Sequence, residues 1–260
     1  YQEVRSVLEI RELRKTYPAQ GGHGAALDGV GFTVEAGIFV SVIGPSGAGK
    51  STLLRCVTGQ LRPDGGSVLL DGTDMVPLRG RQKRRLQQKI GMVYQDFCLV
   101  GCATAEENVL NACLPELGPL SVLLGRFSRE KRQAARTLLD TVGLAGKESQ
   151  RADSLSGGEQ QRVAVARALM QGGTLLLADE PVASLDPVRA EEVLELLRRL
   201  QREQGLSVLM NSHNVDQALR YSDRILGLRQ GRVVFDGPPA AVTEAVLKDI
   251  YGGEAAHEAD

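Results

Sequence analysis

The sequence predicts an α/β fold with a helical lobe set into its middle third, and three observations carry that prediction. Short runs rich in Val, Ile and Leu recur at residues 38–43, 175–178, 207–210 and 224–228, each bounded by Gly, Asp or His. Such runs read as buried strands of an α/β sheet. Residues 188–204 show the helical period instead, with Val193, Leu196, Leu197 and Leu200 on one face and Arg and Glu filling the rest. Between about residues 96 and 168 the strand signal disappears, and 129–142 reads as an amphipathic helix ending at Gly143.

Taken along the chain, residues 1–15 alternate charged and apolar side chains and lack the apolar core and small-residue cleavage site of a signal peptide. The strand at 38–43 runs into a glycine-rich loop, and a helical pattern follows from Thr52-Leu53-Leu54. Residues 79–89 hold six basic side chains among eleven. With no aromatic platform beside them, they read as a solvated helix face ahead of the strand that precedes Gln95 rather than as a nucleic-acid surface. Asp186-Pro187 supplies an N-cap and a proline at the first helical position. Residues 231–237, with Val233, Val234 and Phe235, suggest a late strand or hairpin before a helical tail. The small, acidic residues 252–260 are expected to fray.

Composition bounds the function. The chain has 260 residues, 42% hydrophobic and 24% charged, enough for one large domain or two packed lobes. Thirty-one basic and thirty-two acidic residues leave a formal charge of −1. Nothing global therefore draws the protein to nucleic acid or an anionic membrane, and any phosphate chemistry must be local. Cys56, Cys98, Cys102 and Cys113 form no CxxC pair and no zinc spacing, and read as reduced cytosolic thiols. No apolar run approaches the roughly 20 residues of a transmembrane helix, so a role at a membrane requires a partner.

The decisive motif is Gly44-Pro45-Ser46-Gly47-Ala48-Gly49-Lys50-Ser51, which matches GxxxxGK[ST] directly after a strand and before a helix. Glycines let the backbone curl so that successive N–H groups point inward, and the following helix presents its positive end to an anion. Lys50 adds a mobile charge for terminal phosphates, and the Ser51 hydroxyl is suited to Mg²⁺. Hydrolysis also needs a carboxylate for the metal's water shell and a group to activate water. Leu175-Leu176-Leu177-Ala178-Asp179-Glu180 offers both at a strand end, Asp179 for Mg²⁺ and Glu180 as general base. Leu155-Ser156-Gly157-Gly158-Glu159 reads as a capping box and also as a second anion site. Two glycines in a first helical turn cost about 1 kcal/mol each in propensity, which makes sense where a ligand approaches bare backbone.

The phosphate loop, Gln95, Leu155-Ser156-Gly157-Gly158, Asp179-Glu180, Ser184-Leu185-Asp186 and His213 occur in the order seen in ATP-binding cassette ATPases, which the chain resembles over nearly its whole length. The resemblance implies a P-loop NTPase (RecA-like) core over 1–95 and 169–251 with a small N-terminal β region, a helical signature-motif subdomain over 96–168, and a flexible tail at 252–260. It implies ATP and Mg²⁺ as cofactors. Tyr17 falls where an aromatic ring stacks on adenine, and residues 44–52, through Thr52, cradle the nucleotide. Gln95 falls at the Q-loop glutamine that senses Mg²⁺ and nucleotide, Asp186 at the D-loop residue reaching across a dimer, and His213 at the switch histidine. Two copies would pack head to tail, each ATP held between one chain's phosphate loop and the other's Ser156, Gly157 and Gly158. They would dock on integral-membrane permease subunits at the cytoplasmic face of the inner membrane, served indirectly by a solute-binding protein.

Stretches outside the nucleotide motifs are similar to the ATPase subunit of phosphonate importers: Leu123-Leu124-Gly125-Arg126-Phe127-Ser128, residues 177–187, and Ala218-Leu219-Arg220-Tyr221 on to Asp236-Gly237-Pro238. This implies a phosphonate or related phosphorus oxyanion as cargo. Two departures stand out. Ala103-Thr104-Ala105-Glu106-Glu107-Asn108 is more polar than the pattern expected there, and Asn211-Ser212 replaces an apolar residue and leucine. Other classes fit less well. Another importer or exporter would share the motifs. A soluble family member of DNA repair or translation usually carries coiled-coil insertions or two cassettes, and a P-loop kinase or GTPase leaves Leu-Ser-Gly-Gly unexplained.

Overall fold

A computed structural model describes residues 5–19, 22–117 and 127–252. The expected tail beyond residue 252 and most of the 123–128 segment lie outside the described residues. Packing divides the chain into two compact units, one of residues up to Gln87 and from Leu200, the other Gln88–Arg199.

The first unit holds two sheets. Strands β1 (Ser6–Ala19) and β2 (Gly22–Glu35) pair antiparallel, and β4 (Gly65–Leu70) and β5 (Thr73–Asp74) extend the sheet in the order β2-β1-β4-β5. The charged and apolar alternation of the N-terminus is thus a strand pattern, with Val7, Leu8, Ile10 and Leu13 buried. The second sheet of this unit centres on β3 (Phe39–Ile43), whose five residues are all buried. It runs parallel to β8 (Ser207–Asn211) on one side and to β9 (Arg224–Arg229) on the other. Antiparallel β10 (Arg232–Gly237) follows β9 by a hairpin, as 231–237 predicts. Helices α1 (Lys50–Val57), α2 (Gly80–Gln87), α7 (Val215–Tyr221) and α8 (Glu244–Tyr251) complete the unit. The basic run at 79–89 coincides with α2, where Leu86 is buried and most of the cations are exposed.

In the second unit β6 (Ile90–Val93) pairs parallel with β7 (Leu175–Asp179). Among the described residues, no strand longer than an isolated bridge falls between them. Helices α3 (Ala105–Leu110), α4 (Arg129–Thr141) and α5 (Gly157–Met170) pack around Val109, Leu110, Ala135, Leu139, Val163 and Ala164. Gly91 lets α5 lie close to β6, since a Cβ there would sit 2.8 Å from the Ala168 carbonyl oxygen. Helix α6 (Pro187–Gln204) begins at the proline that the sequence places at its first position.

The polar segment 103–108 has a structural reason. Thr104 caps α3 in a capping box with Glu107. Glu106, buried, accepts from Arg132 at 3.0 Å and Arg136 at 2.8 Å on α4. The buried Asn108 amide donates to the Val100 and Thr104 carbonyls and accepts from the Val100 N–H at 2.8 Å. These side chains knit α3 to α4 and to the loop before it. Apolar replacements would strand backbone groups without partners.

Candidate nucleotide site

In the first unit, the buried strand β3 delivers the chain into the glycine-rich loop. Gly44 has φ 153°, and a Cβ there would meet the Leu228 carbonyl oxygen at 2.1 Å. Gly49, at φ 106°, turns against the Ala26 carbonyl oxygen, 2.3 Å from where its Cβ would be. Gly47, at φ 79°, differs, because its missing side chain faces open space. The loop is thus squeezed at both ends by backbone and bare in the middle. Its curvature is held by the Ala48 N–H donating to the Pro45 carbonyl (3.1 Å) and by the Gly231 N–H donating to the Ala48 carbonyl (2.9 Å).

Lys50 is 5% exposed, and its ammonium donates to the carbonyls of Gly44 (2.6 Å) and Pro45 (3.2 Å). The cation is thereby stored inside the loop's own curve. Helix α1 starts at Lys50 with Gly49 as a cap that has no side chain to offer and no acidic residue in the first turn, so its positive end is not neutralised locally. Ser51 and Thr52 occupy that first turn, half-buried. A glycine loop pressed by backbone at both ends, a stored cation, a bare glycine and an unneutralised helix start fit a polyphosphate.

The β3–β8 register pairs Val42 with Asn211, and the Ser212 N–H donates to the Val42 carbonyl at 3.0 Å. Two residues beyond that pair lie Gly44 and the exposed His213, leaving the same strand edge. The Ser212 hydroxyl closes the turn around His213, donating to the Asn214 carbonyl (2.9 Å) and accepting from the Asn214 N–H (3.2 Å). The serine that departs from the expected leucine thus shapes the turn that presents the histidine. Tyr17, on β1 opposite Gly24, is 39% exposed, with the Lys15 ammonium 6.0 Å from its ring centre.

In the second unit, β6 and β7 pair Val93 with Ala178, so that Gln95 and Asp179-Glu180 leave one C-terminal edge together. Glu180 has φ 51°, a left-handed conformation that costs an L-residue about 1–2 kcal/mol and turns the chain sharply at the strand's end. Phe97 and Cys98, just after Gln95, share this conformation at φ 54° and 50°. Asp186 caps α6 through the Arg189 N–H at 3.1 Å.

The capping box expected at Ser156 is present: the Glu159 N–H donates to its hydroxyl, and its own N–H donates to the Glu159 carboxylate at 2.9 Å. Lys147 also pairs with Glu159. That hydrogen bond, with the Ser156 N–H second, holds the Glu159 pKa down to about 2. The two glycines have intrachain neighbours as well: a Cβ on Gly157 would lie 3.3 Å from Leu185, and one on Gly158 3.3 Å from Arg189. Sequence reasoning missed Gly231 and Lys147. Only Gly231 left a trace, as the hairpin turn.

The family model described as ABC transporter matches residues 27–183, which span the phosphate loop, the Ser156 motif and Asp179-Glu180. The chain belongs to the ABC transporter family. Among curated relatives of this cassette, the phosphonates import ATP-binding protein PhnC of Alcaligenes faecalis is 47% identical over 95% of the chain and 89% of its own length. The protein of that name from Lactiplantibacillus plantarum is 44% identical over 94% of each chain. Among solved structures, the dimeric ATP-binding cassette MJ0796 in a post-hydrolysis state bound to ADP and Pi is 33% identical. It covers 89% of this chain and 98% of its own, with a TM-score of 0.78. The cassette is accordingly a nucleotide-binding ATPase with the P-loop NTPase fold.

Proposed function

We propose that this cassette is the ATP-hydrolysing subunit of an importer for a phosphonate or a related phosphorus oxyanion. The observation that carries the nucleotide chemistry is the Lys50 ammonium held on the Gly44 and Pro45 carbonyls, inside a loop bare at Gly47. The cargo rests on relatives named for phosphonate import over almost their full length.

In this reading, ATP with Mg²⁺ supplies a phosphoanhydride whose cleavage drives the cycle. Residues 44–52 and Lys50 bind and orient the phosphates, and Tyr17 offers its exposed ring to adenine. Ser51, Gln95 and Asp179 hold the metal, Glu180 accepts the proton of the attacking water, and His213 steadies the terminal phosphate. Ser156, Gly157, Gly158 and Asp186 serve the site of a second copy packed head to tail. Docking on integral-membrane permease subunits places the pair at the cytoplasmic face of the cell membrane. A solute-binding protein acts indirectly, and no nucleic acid takes part. No described helix is long and apolar enough to cross a bilayer.

The boundaries 1–95 with 169–251, and 96–168, then separate the catalytic core from the lobe that answers the partner. Deleting the gene from a host with no other uptake route is expected to abolish growth on a phosphonate or phosphite as sole phosphorus source. The intact gene should restore growth and the Lys50→Ala form should not. Normal growth of the deletion strain would overturn the cargo. Growth restored by Lys50→Ala would overturn the nucleotide chemistry.

A further inference from the structure

Two L-residues in succession, Phe97 and Cys98, sit in the left-handed region immediately after Gln95. Neither is glycine, asparagine or aspartate, the residues that visit this region readily. Something other than local preference must hold them. Arg167, ten residues into α5, reaches back to this turn, donating from one guanidinium nitrogen to the Phe97 carbonyl at 2.8 Å and from the other to the Cys98 carbonyl. Among the described residues it makes no ion pair with a carboxylate. Burial lowers its pKa, so the charge is kept partly out of water for the sake of two neutral carbonyls.

The turn also touches the other end of α5. The Phe97 ring lies 3.9 Å from where a Cβ of Gly157 would stand. Helix α5 therefore meets the turn twice, through Arg167 and through the glycine beside Ser156.

We propose that Arg167 is a positioning residue, whose forked hydrogen bonds hold the turn after Gln95 in its left-handed form and so fix both Gln95 and the Phe97 ring against the Ser156 motif. The proposal rests on the reading of Gln95 as a nucleotide-site residue for its activity arm alone. Without Arg167 the turn relaxes to negative φ, Gln95 moves off the Asp179-Glu180 edge, and the phosphate loop is untouched.

The test uses the full chain in a Cys102→Ser background, which leaves Cys98 as the exposed thiol while Cys56 and Cys113 stay buried. In Arg167→Ala, alkylation of Cys98 by N-ethylmaleimide, compared at equal thiolate fraction because losing the neighbouring cation disfavours the thiolate, is expected to quicken by about fivefold or more as the turn opens. Mg²⁺-ATP turnover should fall by about tenfold, with affinity for a fluorescent ATP analogue held within about twofold. Adding Cys98→Gly removes the penalty of the left-handed form, and the double variant should regain at least about a third of parental turnover. A merely structural role for Arg167 predicts no such rescue. Should the alanine variant fail to fold, Arg167→Lys keeps the charge but lacks the fork, and a smaller acceleration of alkylation is the expected result.

Alkylation of Cys98 at the parental rate overturns the proposal whatever the turnover does. Faster alkylation without rescue overturns it too, because strain would not be what Arg167 opposes. A parental chain that turns over no ATP would count against the proposed function, and alkylation alone would then decide the role of Arg167.

Discussion

Replacing either Gly49 or Gly47 by alanine separates the loop's two tasks, holding a shape and leaving room. At Gly49 an alanine would have to adopt φ 106°, outside even the left-handed well, at a cost of about 1–2 kcal/mol. Its Cβ would also stand 2.3 Å from the Ala26 carbonyl oxygen. That is roughly 1 Å inside the ~3.3 Å at which such contacts settle. Neither side can yield easily, since both are backbone, and overpacking of this kind adds about 1–3 kcal/mol. The total of about 2–5 kcal/mol corresponds to a melting temperature lower by about 5–15 °C in a domain of this size. Gly47→Ala meets no atom within 4 Å and has only its φ of 79° to accommodate. It should cost about 1 kcal/mol and lower the melting temperature by only about 2–4 °C. Its methyl group, however, occupies the bare middle of the loop, where phosphate would approach. Saturating ATP at about 100 times the Kd should stabilise the parent by about 2.7 kcal/mol, and that gain should vanish in both variants. Thermal unfolding with and without ATP reads both effects. If Gly49→Ala melted within about 1 °C of the parent, or Gly47→Ala kept the full ATP-induced shift, the account of the loop would be wrong.

Other expectations follow from the same geometry. Glu180→Gln keeps size and hydrogen bonding but loses the base, so ATP should bind uncleaved and move the isolated chain from monomer toward dimer by light scattering, whereas hydrolysis near the parental rate would remove Glu180 as base. Asn108→Ala leaves the Val100 N–H and loop carbonyls without their partner, and should lower stability by about 2–3 kcal/mol in urea unfolding; a loss under about 0.5 kcal/mol would mean water replaces it. Glu159 has a folded pKa depressed to about 2, so its contribution is complete above the ordinary carboxylate range, near pH 4.5, and is lost as pH falls from there toward 2. Lys147→Met should flatten that part of the acid-unfolding curve, and an unchanged slope would count against the ion pair as its cause.

Much of the architecture was legible because β3, β7, β8 and β9 are buried on both faces and betray themselves as apolar runs. Strands β1 and β2 were harder to read, since each has one solvated face and register irregularities that break the alternation. The phosphate loop announced itself because glycine spacing is a local requirement. What holds it in shape was invisible, because the groups that press on Gly44 and Gly49 are the carbonyls of Leu228 and Ala26, and a carbonyl belongs to every residue type. Arg167 was hidden for the same reason: its partners are backbone atoms of Phe97 and Cys98, and a left-handed φ at a non-glycine residue leaves no mark in the sequence. The polar run at 103–108 looked anomalous because its partners are hidden from the sequence: Glu106 pairs with arginines on α4, while Thr104, Glu107 and Asn108 bond backbone of their own segment and of the loop before it.

The tie between the β9–β10 turn and the phosphate loop bears on when the loop becomes competent during synthesis. The Gly231 N–H holds the Ala48 carbonyl, its own carbonyl accepts from the Asp28 N–H, and Arg232 pairs with Asp28 across 204 positions of sequence. A ribosome emitting residues at about 5–20 per second therefore displays residues 44–51 for many seconds before the turn that clasps them has been made. Contacts so distant in sequence form late in folding, after the loop-closure entropy between them has been overcome. The nascent chain should thus acquire nucleotide affinity only after the β9–β10 turn has been made and has closed on the loop.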